Sequence, residues 1–92
     1  MIKTFAHKGL ERFFQYEEKR GLNARHLPRL ARLLDRLQDA AEPRDMNLPG
    51  YVLHRLKGDR KDIWSVKVSG NWRLTFRFED GHAYDVGLED YH

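Results

Sequence analysis

The sequence predicts an α+β domain in which two N-terminal helices pack on one face of a small antiparallel or mixed sheet. Up to residue 39 the apolar side chains recur at helical spacing, whereas after residue 50 they alternate with polar ones. Ser69-Gly70-Asn71 and Asp80-Gly81 separate the later segments and are typical of hairpin turns. Strands joined by short turns form an antiparallel meander, and a layer of helices is needed to bury one of its faces.

The N-terminal half is predicted to contain a short strand and two helices. Residues 2–5 form the strand, and residues 8–19 form a helix that ends near Gly21. The second helix begins either at an Asn23 cap, with an irregular first turn, or at Pro28, which lacks a backbone donor. The apolar face of this helix consists of Leu27, Leu30, Leu33, Leu34 and Leu37. A neighbouring basic stripe, which on its own indicates a solvated face, consists of Arg25, Arg29, Arg32 and Arg36.

The C-terminal half is predicted to be a sheet, entered through a connection at residues 40–50 and interrupted by a polar loop at residues 57–60. The predicted strands are residues 51–56, 63–68, 72–78 and 83–88. In the third strand, alternation directs Trp72, Leu74, Phe76 and Phe78 to one side. Arg73, Thr75 and Arg77 point to the other side. We therefore expect one sheet face to meet the helices and the face with Arg73 and Arg77 to meet solvent or a ligand.

The composition excludes several classes of protein. A chain of 92 residues is expected to form a single domain spanning residues 1–92. Because there is no cysteine, disulfides, a thiol nucleophile and cysteine-ligated zinc are excluded. The five histidines show no close-spaced ligand pair, so we expect no metal and no cofactor. No membrane span or signal peptide is visible, which favours a soluble cytoplasmic protein, and a net charge of +3 is compatible with a nucleic-acid partner.

The C-terminal half also offers the groups that RNA cleavage without a metal requires. In that reaction the 2′-hydroxyl attacks the neighbouring phosphorus, a base and an acid move protons, and cations stabilise the phosphoryl oxygens. Histidine suits the proton transfers, and lysine and arginine suit the phosphate. The candidate residues are His54, Lys57, Arg73, Asp90, Tyr91 and His92. By spacing alone a strand histidine, an exposed arginine or a polar tail is more often structural or solvated, so these residues do not by themselves identify a nuclease.

Several segments together resemble the HigB toxins of the RelE superfamily, over nearly the whole chain. The matching segments are MIKTF and HKGL at the start, LHRLKGDR at residues 53–60, WSVKV at residues 64–68, NWRLTF at residues 71–76 and the terminal EDYH. WSVKV followed by NWRLTF is the most specific block. The resemblance implies a RelE-like fold and a toxin of a type II toxin–antitoxin system, which cleaves messenger RNA on the ribosome without a metal and so inhibits translation and growth.

The resemblance also implies a set of site residues and partners. It implicates His54, Lys57, Arg73, Asp90, Tyr91 and His92 as catalytic residues, none of which is replaced here. Arg60 and Lys67 are second-rank candidates for contacts with the RNA backbone. The implied partners are a HigA-type antitoxin, the ribosome at the 30S A site and messenger RNA, with DNA reached only through the antitoxin. The basic stripe of the second helix is then expected to contact the partner or ribosomal RNA.

Within this interpretation Lys57 and Arg73 hold the scissile phosphate, and His54 and His92 transfer protons. Which histidine is the base and which is the acid stays open, and so do two alternative functions. The first is a non-catalytic RNA-binding module that uses the same basic face. The second is a degenerate regulator that only engages an antitoxin.

Overall fold

The computed structural model describes residues 1–60 and 62–91, so Lys61 and His92 lie outside the described residues. Helices α1 (Lys8–Tyr16) and α2 (Leu27–Asp39) precede a four-stranded sheet. The strands are β1 (His54–Arg55), β2 (Trp64–Ser69), β3 (Trp72–Glu79) and β4 (His82–Asp90). They lie side by side in chain order and each pair is antiparallel. The predicted α+β class, with two helices before the sheet, is confirmed.

The core lies between α2 and one face of the sheet. The leucine face of α2 is buried as its spacing predicts, and Leu30, Leu33, Leu34 and Leu37 are at most 1% exposed. These side chains belong to one apolar cluster with residues of the strands, including Val66, Leu74, Phe76 and Val86. Because side chains alternate along a strand, the remaining strand residues point to the opposite face, where the candidate site lies.

The predicted first strand, residues 2–5, is wrong as a continuous strand. The chain makes two isolated parallel bridges to β4, one from Ile2 to Ala83 and one from Phe5 to Val86. Between these contacts β4 carries a bulge at Asp85, whose φ is 54°. A bulge interrupts the regular row of backbone donors and acceptors, so the N-terminal segment can pair only on either side of it. The bridges make this edge of the sheet mixed.

Helix α1 ends three residues before the predicted residue 19, at Tyr16. Glu17 adopts the left-handed conformation, with φ 57°, and its N–H donates to the carbonyls of Arg12 and Phe13. This closes the helix at a position where glycine is the usual residue, which is why Gly21 is the wrong cap. At the other end His7 is a capping residue, because its Nδ1 accepts from the N–H of Leu10 at 3.1 Å.

Helix α2 begins as the Asn23 alternative predicts. The Asn23 side chain accepts from the N–H of Arg25 at 2.9 Å and starts a single 3₁₀ turn at Ala24–His26. The α-helix then begins at Leu27, with Pro28 in its first turn, where no intrahelical partner for its nitrogen is needed. The irregular first turn is therefore confirmed.

Strand β1 is much shorter than the predicted residues 51–56 and pairs with β2 only at His54 and Arg55. Gly50 and Val52 both have positive φ, 85° and 51°, so the chain before β1 cannot continue as an extended strand. Instead the carbonyl of Tyr51 accepts from the N–H of Lys67 at 2.7 Å. The segment is anchored beside β2 by side-chain contacts that no local pattern reveals.

Arg29 of α2 supplies most of that anchor. Its Nη2 donates to the carbonyl of Gly50 at 2.7 Å and to that of Lys67 at 3.1 Å, and its Nε donates to the same Lys67 carbonyl at 3.2 Å. The guanidinium also lies 4.9 Å from the centroid of the Tyr51 ring. Arg29 therefore holds the helix to the sheet. Its guanidinium is already engaged, so it is not available to a partner in the way predicted for the basic stripe. Arg32 of the same stripe is exposed.

Replacement of Arg29 by alanine is expected to lower the free energy of unfolding by about 1–3 kcal/mol, because carbonyls of Gly50 and Lys67 lose a charged donor. Arg29→Lys should not restore the loss, since an ammonium cannot reproduce the planar fork. Arg32→Ala on the same helix is the matched control and should stay within about 0.5 kcal/mol of the parent. Urea denaturation followed by circular dichroism measures all three, and equal stability of the Arg29 and Arg32 variants would contradict the assignment.

Candidate functional site

The sheet face that points away from α2 carries a row of charged residues. In the strand register Arg73 lies directly between Lys67 of β2 and Glu89 of β4. Side chains directly opposite each other in neighbouring strands point to the same face, with Cβ atoms about 5 Å apart. Two cations and one carboxylate thus share one line across the sheet. We call this row, Lys67, Arg73 and Glu89, the charged row.

A second row, two positions along the strands, contains His54 and small residues. His54 pairs with Ser65, Ser65 with Thr75, and Thr75 with Gly87. Ser65 is fully buried and Thr75 is 6% exposed, whereas His54 at the edge is half-buried. A Cβ on Gly87 would lie 3.1 Å from Thr75 Oγ1, so this row has no room for a larger residue at that position. His54 therefore lies at the edge of the sheet, at one end of a row of small residues.

Arg73 is oriented by a backbone carbonyl rather than by a carboxylate. Its Nη1 donates to the carbonyl of Val52 at 3.3 Å, which directs the guanidinium toward the segment that leads into His54. The side chain remains half-exposed. The expectation that Arg73 faces solvent or a ligand therefore agrees with its place in the structure.

Arg77 lies on the same strand and is also half-exposed, but carboxylates hold its guanidinium. Its Nη1 donates to Glu79 at 2.8 Å and its Nε to Asp85 at 3.0 Å, and the guanidinium lies 4.9 Å from the ring centroid of Tyr84. The hydrogen bonds to Glu79 and Asp85 raise the pKa of Arg77 above its ordinary value. Two carboxylates balance its charge, and through them Arg77 links the two strands of the β3–β4 hairpin.

Arg60, a predicted contact of the RNA backbone, is already paired with Glu89. Its Nη1 donates to Glu89 Oε1 at 3.0 Å, and its Nη2 donates to Oε2 of the same carboxylate. The hydrogen bond to Glu89 is the main cause of a raised pKa at Arg60. Sequence reasoning missed Glu89, because its partner lies 29 residues away and only the register of β4 places it beside Arg73.

Lys57 stands at the beginning of the loop that carries Arg60. The loop is closed at its base by hydrogen bonds from Leu56 N–H to the Ile63 carbonyl, at 2.8 Å, and from Ile63 N–H to the Arg60 carbonyl, at 2.9 Å. The predicted polar loop contains a single 3₁₀ turn at Gly58–Arg60. Lys57 itself is exposed, three residues after His54.

Strand β4 extends to Asp90, and Tyr91 is held beside the strand that precedes it along the sheet. Asp90 pairs with Trp72, and the N–H of Tyr91 donates to the Asn71 carbonyl at 2.8 Å. Because Glu89 occupies the position opposite Arg73, alternation places Asp90 on the other side of the strand, beside Trp72. The predicted catalytic residues Asp90 and Arg73 therefore do not share one face of the sheet.

Tyr91 and His92 complete the predicted site residues. Tyr91 is 42% exposed, and it contributes to the raised pKa of Arg60, after the larger effect of Glu89. His92 lies outside the described residues, and its role stays a prediction.

The described part of the chain contains no group of three or more histidine, aspartate or glutamate side chains that could hold a metal ion. Within residues 1–60 and 62–91 no helix has the length and apolar character needed to cross a membrane.

Comparison with known proteins fits this architecture. Residues 3–92 match the family of HigB-like toxins, described as the RelE-like toxin of the type II toxin–antitoxin system HigB. The chain belongs to this family. This HigB-family toxin is 44% identical over 92 residues to Endoribonuclease HigB of Proteus vulgaris, with 100% of both chains covered. It is also 30% identical over 91 residues to Toxin HigB-1 of Vibrio cholerae serotype O1, and this match covers 97% of the present chain and 96% of the Vibrio protein.

Membership confirms the resemblance read from the sequence and, for a toxin of a type II toxin–antitoxin system, implies an antitoxin protein as partner. The two sheet faces of this HigB-family toxin differ in what they carry. The helix-facing side holds the core, whereas the opposite side gathers His54 and the charged row.

The bulge at Asp85 sets the register of the tail, and its strain is expected to be measurable. Asp85→Val places a β-branched residue at a positive φ and should lower the free energy of unfolding by about 1–3 kcal/mol. Asp85→Gly relieves the φ while losing the exposed pair with Arg77, and should change stability by less than about 1 kcal/mol. Urea denaturation compares the two variants, and a valine variant as stable as the glycine variant would show that the bulge is not strained.

Proposed function

We propose that this HigB-family toxin is an endoribonuclease that cleaves messenger RNA on the ribosome and thereby stops translation and growth. The observation that carries the proposal is one sheet face that combines His54 with Lys67 and Arg73. A proton-transfer group beside phosphate-binding cations is what cleavage by a 2′-hydroxyl requires. The name of the Proteus vulgaris relative, Endoribonuclease HigB, supports the activity.

Arg73 and Lys57 are proposed to hold the scissile phosphate, with Lys67 and Arg60 contacting the RNA backbone. Arg73 is the better placed of the first two, because the carbonyl of Val52 orients its guanidinium before any substrate binds. A donor that is already oriented stabilises the charge that develops on the phosphoryl oxygens without reorganisation. A guanidinium also offers a phosphate two parallel hydrogen bonds, which an ammonium cannot.

His54 and His92 are proposed as the proton-transfer pair, assisted by Tyr91 and by Asp90, which lies on the other side of the end of β4. One histidine accepts the proton of the 2′-hydroxyl while the 2′-oxygen forms its bond to phosphorus. The other donates a proton to the 5′-oxygen as the bond from phosphorus to that oxygen breaks. The products are a 2′,3′-cyclic phosphate and a free 5′-hydroxyl, and no metal ion takes part.

The proposal includes the setting in which the toxin works. The antitoxin partner is of the HigA type, the ribosomal position is the 30S A site, and DNA is contacted only through the antitoxin. Residues 1–92 act as one domain in the cytoplasm, where translating ribosomes are found. The ribosome is expected to supply substrate geometry, since proximity and orientation can account for roughly 7–11 kcal/mol of a barrier.

Cleavage is expected to require the ribosome and to survive chelators. Purified toxin should cut a messenger RNA bound to 70S ribosomes far faster than the same RNA free in solution. The rate should be unchanged in a chelator used at a concentration that leaves the ribosomes intact. Primer extension on both RNA preparations measures this, and equally rapid cutting of free RNA, or a rate restored only by one divalent ion, would refute the proposal.

Loss of either proposed proton-transfer group is expected to lower single-turnover cleavage by at least roughly 10²-fold, the range for one acid or base. The variants are His54→Ala and His92→Ala, and His82→Ala on the β3–β4 hairpin is the matched control. Ribosome binding and melting temperature, measured in parallel, should change little. Cleavage by His92→Ala at the parent rate would remove the tail histidine from the mechanism. If the parent toxin binds ribosomes normally but does not cleave RNA, a non-catalytic RNA-binding module is favoured instead.

A further inference from the structure

The charged row contains a carboxylate, although a negative charge at that place repels the phosphates of RNA. Glu89 is directly opposite Arg73 in the register, and its side chain is 34% exposed. The two carboxylate oxygens of Glu89 accept hydrogen bonds from the two terminal nitrogens of Arg60. Arginine adopts the same parallel, two-point geometry with phosphate. Glu89 thus occupies the donors that a phosphate of the RNA backbone would use.

The pair also fixes where the loop lies. Arg60 follows β1 at one edge of the sheet, whereas Glu89 belongs to β4 at the other edge. Neighbouring strands are about 4.8 Å apart, so three intervals separate these edges by roughly 14 Å, which is more than one arginine side chain spans. The turn Gly58–Arg60 therefore extends over the face that carries Thr75 and Arg73.

We propose that Glu89 is a displaceable counter-ion that marks a phosphate position of the RNA substrate. In the free toxin its carboxylate holds Arg60, and on binding a backbone phosphate replaces Glu89 on the guanidinium. Glu89 is a positioning residue in this role, since it acts through Arg60 and does not touch the reacting atoms. The inference deepens the proposed function, because it names the contact that Arg60 makes with the substrate.

The competition has a measurable sign. If Glu89 competes with phosphate, Glu89→Gln should tighten RNA binding by roughly tenfold, because the variant does not have to break a charge-assisted hydrogen bond to Arg60 before the phosphate binds. The salt dependence should become steeper, by up to about 0.7, because in the parent the released Glu89 carboxylate takes up a cation that offsets the counterion released by the phosphate. A purely structural Glu89 would give the opposite result, because loss of the ion pair would loosen the loop and weaken binding.

The test uses a 2′-O-methyl RNA oligonucleotide, which lacks the attacking hydroxyl, and follows fluorescence anisotropy over a series of salt concentrations. Glu79→Gln is the matched control, because it removes an equal charge from a glutamate that pairs with Arg77 away from the charged row. Glu89→Asp keeps the charge and should bind as the parent does. In an Arg60→Ala background the gain from Glu89→Gln should disappear.

Tighter binding by Glu89→Gln than by Glu79→Gln, lost in the Arg60→Ala background, supports the proposal. Equal or weaker binding by Glu89→Gln, an unchanged salt slope, or no measurable binding by both parent and Glu89→Gln overturns it. Should Glu89→Gln fail to melt cooperatively, Glu89→Ala is measured by the same criteria. Because the probe cannot be cleaved, failure of the endoribonuclease proposal shows in the cleavage assay alone and is distinguished from failure of this one.

Discussion

The candidate site depends on one extra residue in β4. At the bulge, Asp85 has φ 54°, its N–H donates to Thr4 Oγ1 at 2.8 Å, and its carboxylate accepts from Arg77 at 3.0 Å. Before the bulge Arg77 pairs with Tyr84, and beyond it Thr75 pairs with Gly87, so the register shifts by one. A one-residue shift moves every later side chain to the other face. Without it Arg73 would oppose Leu88, and the charged row would have no carboxylate.

The same shift keeps the core continuous, and the sequence contains a trace of it. The buried apolar residues of β4 are Ala83 before the bulge and Val86 after it, and Leu88 packs against the same core. Apolar positions therefore change from odd to even numbers within one strand. Strict alternation cannot produce that change, so the change in parity is the signal of a bulge that could have predicted Glu89 beside Arg73.

Local periodicity was enough to predict most of the fold, but not the segments that tertiary contacts define. The leucine stripe of α2 and the alternation of β3 predicted their own burial, because each element presents one apolar face to the core. The start of β1 was not predictable in this way, since it is set by Arg29, which binds the carbonyl of Gly50 21 residues away. The candidate site divides similarly, because residue types indicated Arg73, whereas only the register showed that Asp90 lies on the other side of β4.

The acceptors that hold the arginines of this sheet distinguish their roles. Arg77 and Arg60 are held by carboxylates, which orient them and also cancel their charge. Arg73 is held by the Val52 carbonyl, a neutral acceptor that orients the guanidinium and leaves its full positive charge for an anion. Oriented charge on a half-buried group interacts with a phosphate more strongly than a mobile, fully solvated charge does. Among these three arginines, Arg73 is therefore the one whose guanidinium is oriented by a neutral acceptor, and a carboxylate in place of that carbonyl would remove the advantage.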